Sequence, residues 1–147
     1  MSERKPKNIF SQGAIPASFI AESIQKHSTQ TAIGGHSIFL GQVRADDTEN
    51  GKVRAIDFTA FEDMAIEKMH LIREDIFAKY PITCMHVHHS LGEVAAGEIC
   101  LFVFTSSVHR KAAIDACNET VERLKAELPV WGREIMADNS HQWKVNK

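Results

Sequence analysis

Apolar positions along the chain follow two different periods, and the switches between them predict the order of elements. "KNIFSQ" fits a short first strand. Pro16 suits the first turn of a helix over roughly 16–27, on which Phe19, Ile20, Ser23 and Ile24 share one face. "SIFLGQV" then reads as a strand. The polar "ADDTENGK" contains Asn50-Gly51 and reads as an exposed turn or mobile loop. "VRAIDFTAF" returns to strand. From Glu62, the residues Ala65, Met69, Ile72 and Ile76 recur at helical spacing, and Pro81 closes that helix.

"TCMHVHHSL" alternates like a half-exposed strand, whereas "EICLFVFTS" is nearly all apolar and reads as a strand covered on both faces. Ala113, Cys117, Val121, Leu124 and Leu128 form the stripe of a third helix, stopped by Pro129. "VWGREIM" and "QWKV" fit short final strands. The order is β-α-β-β-α-β-β-α-β-β. Neighbouring strands with short links imply hairpins. The expected fold is therefore a single α+β domain over 1–147, with a mixed, mostly antiparallel sheet and helices packed on it.

Charge narrows the class. Seventeen basic against nineteen acidic residues leave a net charge of −2, which argues against a nucleic-acid binder held by bulk electrostatics. A local basic pocket remains open. No apolar run approaches the ~20 residues that span a bilayer, and the charged "MSERKPKNIF" does not look like a leader. The three cysteines, Cys84, Cys100 and Cys117, are odd in number, widely spaced and without Cys-x-x-Cys. That pattern fits a reduced, cytoplasmic protein.

Candidate chemistry concentrates at three places. "SSVHRK" crowds His109, Arg110 and Lys111 onto the start of the third helix, where the dipole favours anions over cations. A Ser cap, free first-turn N–H groups and Arg110 together fit a phosphate or carboxylate site; splaying of the cations into water is the plain alternative. Gly41-Gln42-Val43-Arg44 puts an arginine just past a strand end. Lys125 follows Leu124 beside the apolar stripe, where partial desolvation would suit it to acid–base or nucleophilic work. The same lysine is also favourable simply as a last-turn cation. Arg110 and Lys125 are separated by roughly 22 Å along one straight helix, so one small ligand touching both needs two chains. His86, His88 and His89 suggest a metal, but zinc needs three or four ligands, and the reading is a solvated strand face.

Taken together, "FLGQVR", "FTAFEDMAIEKM", "VHHSLGEVAAGE", "SSVHRKAAIDA", "ERLKAELPVWGRE" and the late "QW" resemble the large, catalytic subunit of molybdopterin synthase. The resemblance implies an α+β homodimer that binds a small ubiquitin-like sulfur-carrier subunit at each end, making a heterotetramer. The carrier ends in a Gly-Gly thiocarboxylate. The implied reaction adds two sulfurs to cyclic pyranopterin monophosphate, giving the dithiolene of molybdopterin, with no metal or nucleotide at this step. Carried over by residue, Lys125 matches the central catalytic lysine, and Arg44, His109 and Arg110 match residues lining the pterin-phosphate pocket. Gln42 and Val43 belong with Arg44, and Gly132, Arg133 and Glu134 follow the tryptophan in the substrate region.

One departure stands out. Many members carry a second lysine directly after the Trp, where this chain has Gly132. Arg133 supplies charge there but is no proton donor near neutral pH. A basic contact that longer members draw from their tail has no clear counterpart before Lys147. The alternative is a non-catalytic dimeric binding module that keeps the anion pocket.

Overall fold

The computed structural model describes residues 6–145. The charged segment 1–5 and the last two residues, Lys147 among them, lie outside the described residues. Eleven elements follow the expected order: β1 (Phe10–Gln12), α1 (Ala17–His27), β2 (Gly35–Gln42), β3 (Asp47–Thr48), β4 (Gly51–Ala60), α2 (Glu62–Lys79), β5 (Ile82–Ala95), β6 (Ile99–Ser107), α3 (Arg110–Glu127), β7 (Val130–Met136) and β8 (His141–Trp143). The one added element is β3. It turns the polar "ADDTENGK" into a tight hairpin onto β4, with the Thr48 hydroxyl donating to the Gly51 carbonyl at 2.8 Å.

The strands form one sheet in the order β2-β6-β5-β4-β7-β8, with β3 paired to β4 and β1 to β5. Among the described residues, only the β1–β5 pairing is parallel. β5 is the longest strand because it serves three neighbours, β1 at residues 89–91 among them. Residues 82–89 pair with β6 and residues 92–95 pair with β4. Gly92, at φ +80°, makes the change of direction between them, a conformation costly for a residue with a Cβ.

β6 explains the layering. Leu101 and Val103 point into the main core with Met69, Ile72 and Ile76 of α2 and Cys117, Val121 and Leu124 of α3. Phe102 and Phe104 point the other way, into a smaller core with Ile15, Ile20 and Phe19 of α1 and the segment before it. All four β6 side chains are fully buried, as a strand sandwiched between helices requires. α1 is thus alone on one face of this sheet. It covers the alternating Cys84, His86 and His88 of β5, so the expected solvated strand face is instead roofed. Phe19 packs edge-on against His88 at 4.7 Å between centroids. Ile24, expected on the buried face of α1, is 43% exposed.

Candidate active-site cleft

Strand geometry builds the cleft. The register of β2 against β6 shifts between Gly41 and Gln42, where the chain leaves the sheet. A Cβ on Gly41 would come within 3.0 Å of Leu101 Cβ, so the close packing there suits glycine. Two hydrogen bonds then anchor the departing chain: Val43 N–H to the Glu98 carbonyl at 3.0 Å, and Gly97 N–H to the Val43 carbonyl at 2.8 Å. Val43 is buried, whereas Gln42 and Arg44 are exposed on either side of it. Opposite them, the last turn of α3 and the start of β7 complete a cleft of about 1010 Å³.

Gln42, Val43, Arg44, Lys125, Gly132 and Glu134 all line this cleft. Six of the nine site residues singled out in the sequence therefore converge from three segments. Glu134 accepts a hydrogen bond from the Gln142 side chain at 2.8 Å. Arg44 sits 3.3 Å from Asp46, a pair too exposed to hold it rigidly.

The remaining three lie elsewhere on this protomer. Arg133 alternates to the opposite face of β7 and pairs with Asp57 at 2.9 Å. His109 and Arg110 are exposed at the far end of α3. Their helix start is seated against the start of β2: a Cβ on Gly35 would meet Arg110 Cα at 3.1 Å. The N-cap residue is His109, with no side-chain cap, so the expected serine cap is not formed; the hydroxyl of Ser107, two residues earlier, accepts from Ala113 N–H at 2.9 Å. Ser106 instead bonds His36 at 2.7 Å. Lys111 pairs with Asp115 one turn along, at 2.7 Å.

The structure adds three cleft residues that sequence reasoning did not assign: Lys144, His89 and Cys100. Lys144 follows β8, and its N–H donates to the Gly132 carbonyl at 2.8 Å. Its side chain lies over Gly132, where an added Cβ would stand 3.5 Å from Lys144 Cδ. A basic group from the chain's tail therefore reaches the cleft, where the sequence offered no clear counterpart. Burial first, then the charges of Lys125 and Arg44, pull the Lys144 ammonium below its ordinary pKa, while Cys100 and Glu134 oppose them. The desolvated lysine of the cleft is thus Lys144; Lys125 itself is exposed on the wall. Alternation along "QWKV" was the available signal.

His89 is buried and not on a solvated face. Its Nδ1 donates to the Ser90 carbonyl at 2.7 Å, and burial lowers its pKa to about 4, with Lys125 adding to the effect. Cys100 is raised, chiefly by burial, although Lys125 and Lys144 pull it down. Gly132 has no positive φ, so its backbone is ordinary strand. What its missing side chain spares is a 2.9 Å approach to the Ile56 Cγ2 methyl.

This constellation gathers three basic side chains, Arg44, Lys125 and Lys144, around one concave wall, with four carboxylates, Asp46, Asp47, Glu49 and Glu134, and a thiol beside them. It can bind an anion, neutralise developing negative charge and exchange protons through lysine. Among the described residues, no helix is long and apolar enough to cross a membrane.

Residues 15–127 match the family described as MoaE protein. The molybdopterin synthase catalytic subunit of Pyrococcus abyssi is 34% identical over 128 residues, 87% of this chain and 85% of that protein. That of Drosophila willistoni is 37% identical over 116 residues; the match covers 78% of this chain but 31% of the longer fly protein. The crystal structure of molybdopterin synthase from Staphylococcus aureus superposes with a TM-score of 0.81 at 26% identity, covering 97% of this chain and 99% of its own.

Proposed function

Because the chain belongs to the MoaE protein family, we propose that it is the catalytic subunit of a molybdopterin synthase, transferring sulfur from a carrier's thiocarboxylate to cyclic pyranopterin monophosphate. The observation that carries this reading is the convergence of Arg44, Lys125 and Lys144 on one cleft. The reaction brings two anions together, and their repulsion must be offset before sulfur can move. Preplaced cations do this without reorganising at the moment of reaction. Arg44 offers a planar, permanently charged fork to a phosphate. Lys125 is assigned the acid–base or covalent role, because it is exposed to the cleft and free to turn towards substrate. The carrier's Gly-Gly end suits a narrow approach, since it has no side chains to clear.

His109 and Arg110 enter this reading through a second copy of the chain. β2 is the outermost strand of the sheet, and its Ile38, Phe39 and Leu40 are 36–40% exposed. An open apolar edge of this kind invites another strand. Two-fold antiparallel pairing of β2 with its copy would set the start of one strand against the end of the other. The start of β2 carries the Arg110 end of α3, and its end carries Arg44. Each composite site would then take Arg44, Lys125 and Lys144 from one protomer and His109 and Arg110 from its partner. This fits the homodimer core of a heterotetramer with the small sulfur carrier, acting in the cytoplasm.

The deciding assay mixes the protein with pterin precursor and thiocarboxylated carrier and measures dithiolene formation. One dithiolene product for every two carriers consumed is expected. Tight precursor binding without any product would leave only an anion-binding module.

A further inference from the structure

A second group of reactive side chains lies beneath α1, away from the cleft. Cys84 and His86 alternate onto the same face of β5 and point towards the roof that α1 makes. His27, the last residue of α1, comes down over them and is buried. One ligand atom each from His27, Cys84 and His86 falls within 4.8 Å of the other two.

The protonation pattern of His27 is set by its surroundings. Its Nδ1 lies 2.7 Å from the Ser23 carbonyl, which can only accept. In the neutral ring Nδ1 therefore carries the proton, and the Nε2 lone pair is directed at His86. A metal-ligating histidine is oriented in the same way, its second nitrogen donating to a backbone carbonyl. The two Nε2 atoms are 3.1 Å apart. Two nitrogens at ordinary zinc distances on a tetrahedron are about 3.3 Å apart, and a nitrogen and a thiolate sulfur about 3.6 Å. The two imidazoles are already near that spacing, and the Cys84 sulfur lies within 4.8 Å of both. Lys7 and Arg73 line the same small pocket as His86.

We propose that His27, Cys84 and His86 form a site for one zinc-class divalent cation that ties the end of α1 to β5. Two imidazoles and a thiolate are a donor set suited to zinc. The thiolate also supplies the negative charge that a cation near Lys7 and Arg73 requires. Water or the Gln30 side-chain oxygen, 3.7 Å from Cys84 Sγ, takes the fourth position. The site is independent of the sulfur-transfer reading, because none of its ligands lines the cleft.

Cobalt(II) is the probe. Titrated into chelator-treated full-length protein, one equivalent should give strong tetrahedral visible bands and a near-ultraviolet thiolate-to-metal band. Cys84→Ser should remove the thiolate band, and His86→Gln should weaken affinity by at least ~10-fold, the scale on which even supporting residues of a metal site act. His88→Gln, on the same face but outside the triad, should change neither. Zinc should raise the melting temperature of the wild type and not of Cys84→Ser. A fourth measurement needs no variant. Cys84 is the one cysteine that is not buried, so one equivalent of zinc should protect a single reactive thiol from alkylation. Absence of the thiolate band at one equivalent, its survival in Cys84→Ser, or unprotected Cys84 would each overturn the site and leave a histidine–histidine hydrogen bond.

Discussion

The two faces of β5 carry histidines into opposite settings. His86 looks towards α1 and meets His27 at 3.1 Å; His89 looks towards the cleft and lies within electrostatic reach of Lys125. Burial lowers both to a pKa of about 4. Their neighbours decide what that neutrality is for. Under α1 the neighbours are other ligating groups, and a neutral ring is ready to donate a lone pair. In the cleft the charged neighbour is Lys125, and a neutral ring adds no further positive charge beside it. Desolvation is thus the same physical lever on both faces, producing a ligand set on one and limiting charge density on the other.

The largest effect is expected at Lys125, the cation beside His89. Lys125→Ala should reduce single-turnover dithiolene formation by at least ~10²-fold, the lower end for a positioned acid–base group. Its melting temperature should stay within a few degrees, because the residue is exposed. Lys125→Arg should fail almost as badly, since charge persists and proton transfer does not. Near wild-type turnover in the arginine variant would reduce Lys125 to charge neutralisation.

Next comes Arg110. Arg110→Ala should weaken precursor binding by about 1.5–3 kcal/mol, the range for a hydrogen bond to a charged group, read by calorimetric titration. The Ser107 bond to Ala113 should still hold the helix start. Co-expression of Arg110→Ala with Lys125→Ala tests the composite site directly. In randomly mixed two-fold dimers, about a quarter of sites would be intact, restoring about that fraction of activity. Recovery absent from confirmed mixed dimers would put both residues in one protomer's site.

A third test uses pH. With its folded pKa lowered to about 4, His89 stays neutral in the native state while the unfolded chain protonates near 6.5. Its contribution is therefore neutral above pH 6.5 and turns destabilising as pH falls towards 4, by up to about 1.4 kcal/mol per pH unit. Urea unfolding at pH 7 and pH 5 should show a smaller loss for His89→Gln than for the wild type.

The smallest effect is at Gly132. Gly132→Ala should cost about 1–3 kcal/mol of stability through overpacking, since the Ile56 methyl must yield. An unchanged denaturation midpoint would show that Ile56 rotates away freely.

What the sequence revealed follows from how far apart the cooperating residues are. Elements defined by local period, such as α2 from Glu62 and the doubly buried β6, were legible because each pattern lies within one window. So were Arg44, Lys125 and Glu134, whose motifs sit at strand and helix ends. The tail's contribution was not, because Lys144 acts by lying across Gly132, and pairing of β7 with β8 decides that. The triad under α1 was half visible: Cys84 stands two residues before His86, a spacing that puts both on one strand face. His27 lies 59 residues from His86, and nothing local tells that α1 roofs that face.

The pairing of β4 with β7, which joins residues 53–60 to 130–136, also sets an order of assembly during synthesis. The floor and roof beneath α1 are complete once β6 has left the ribosome. The cleft must wait for β7, β8 and Lys144. At about 5–20 residues per second, the stretch from Ser107 to Lys144 adds roughly 2–7 s. A nascent chain therefore holds every residue of its histidine–cysteine triad before it holds every residue of its reaction site. A cation captured in that interval would hold α1 in place while the last strands arrive.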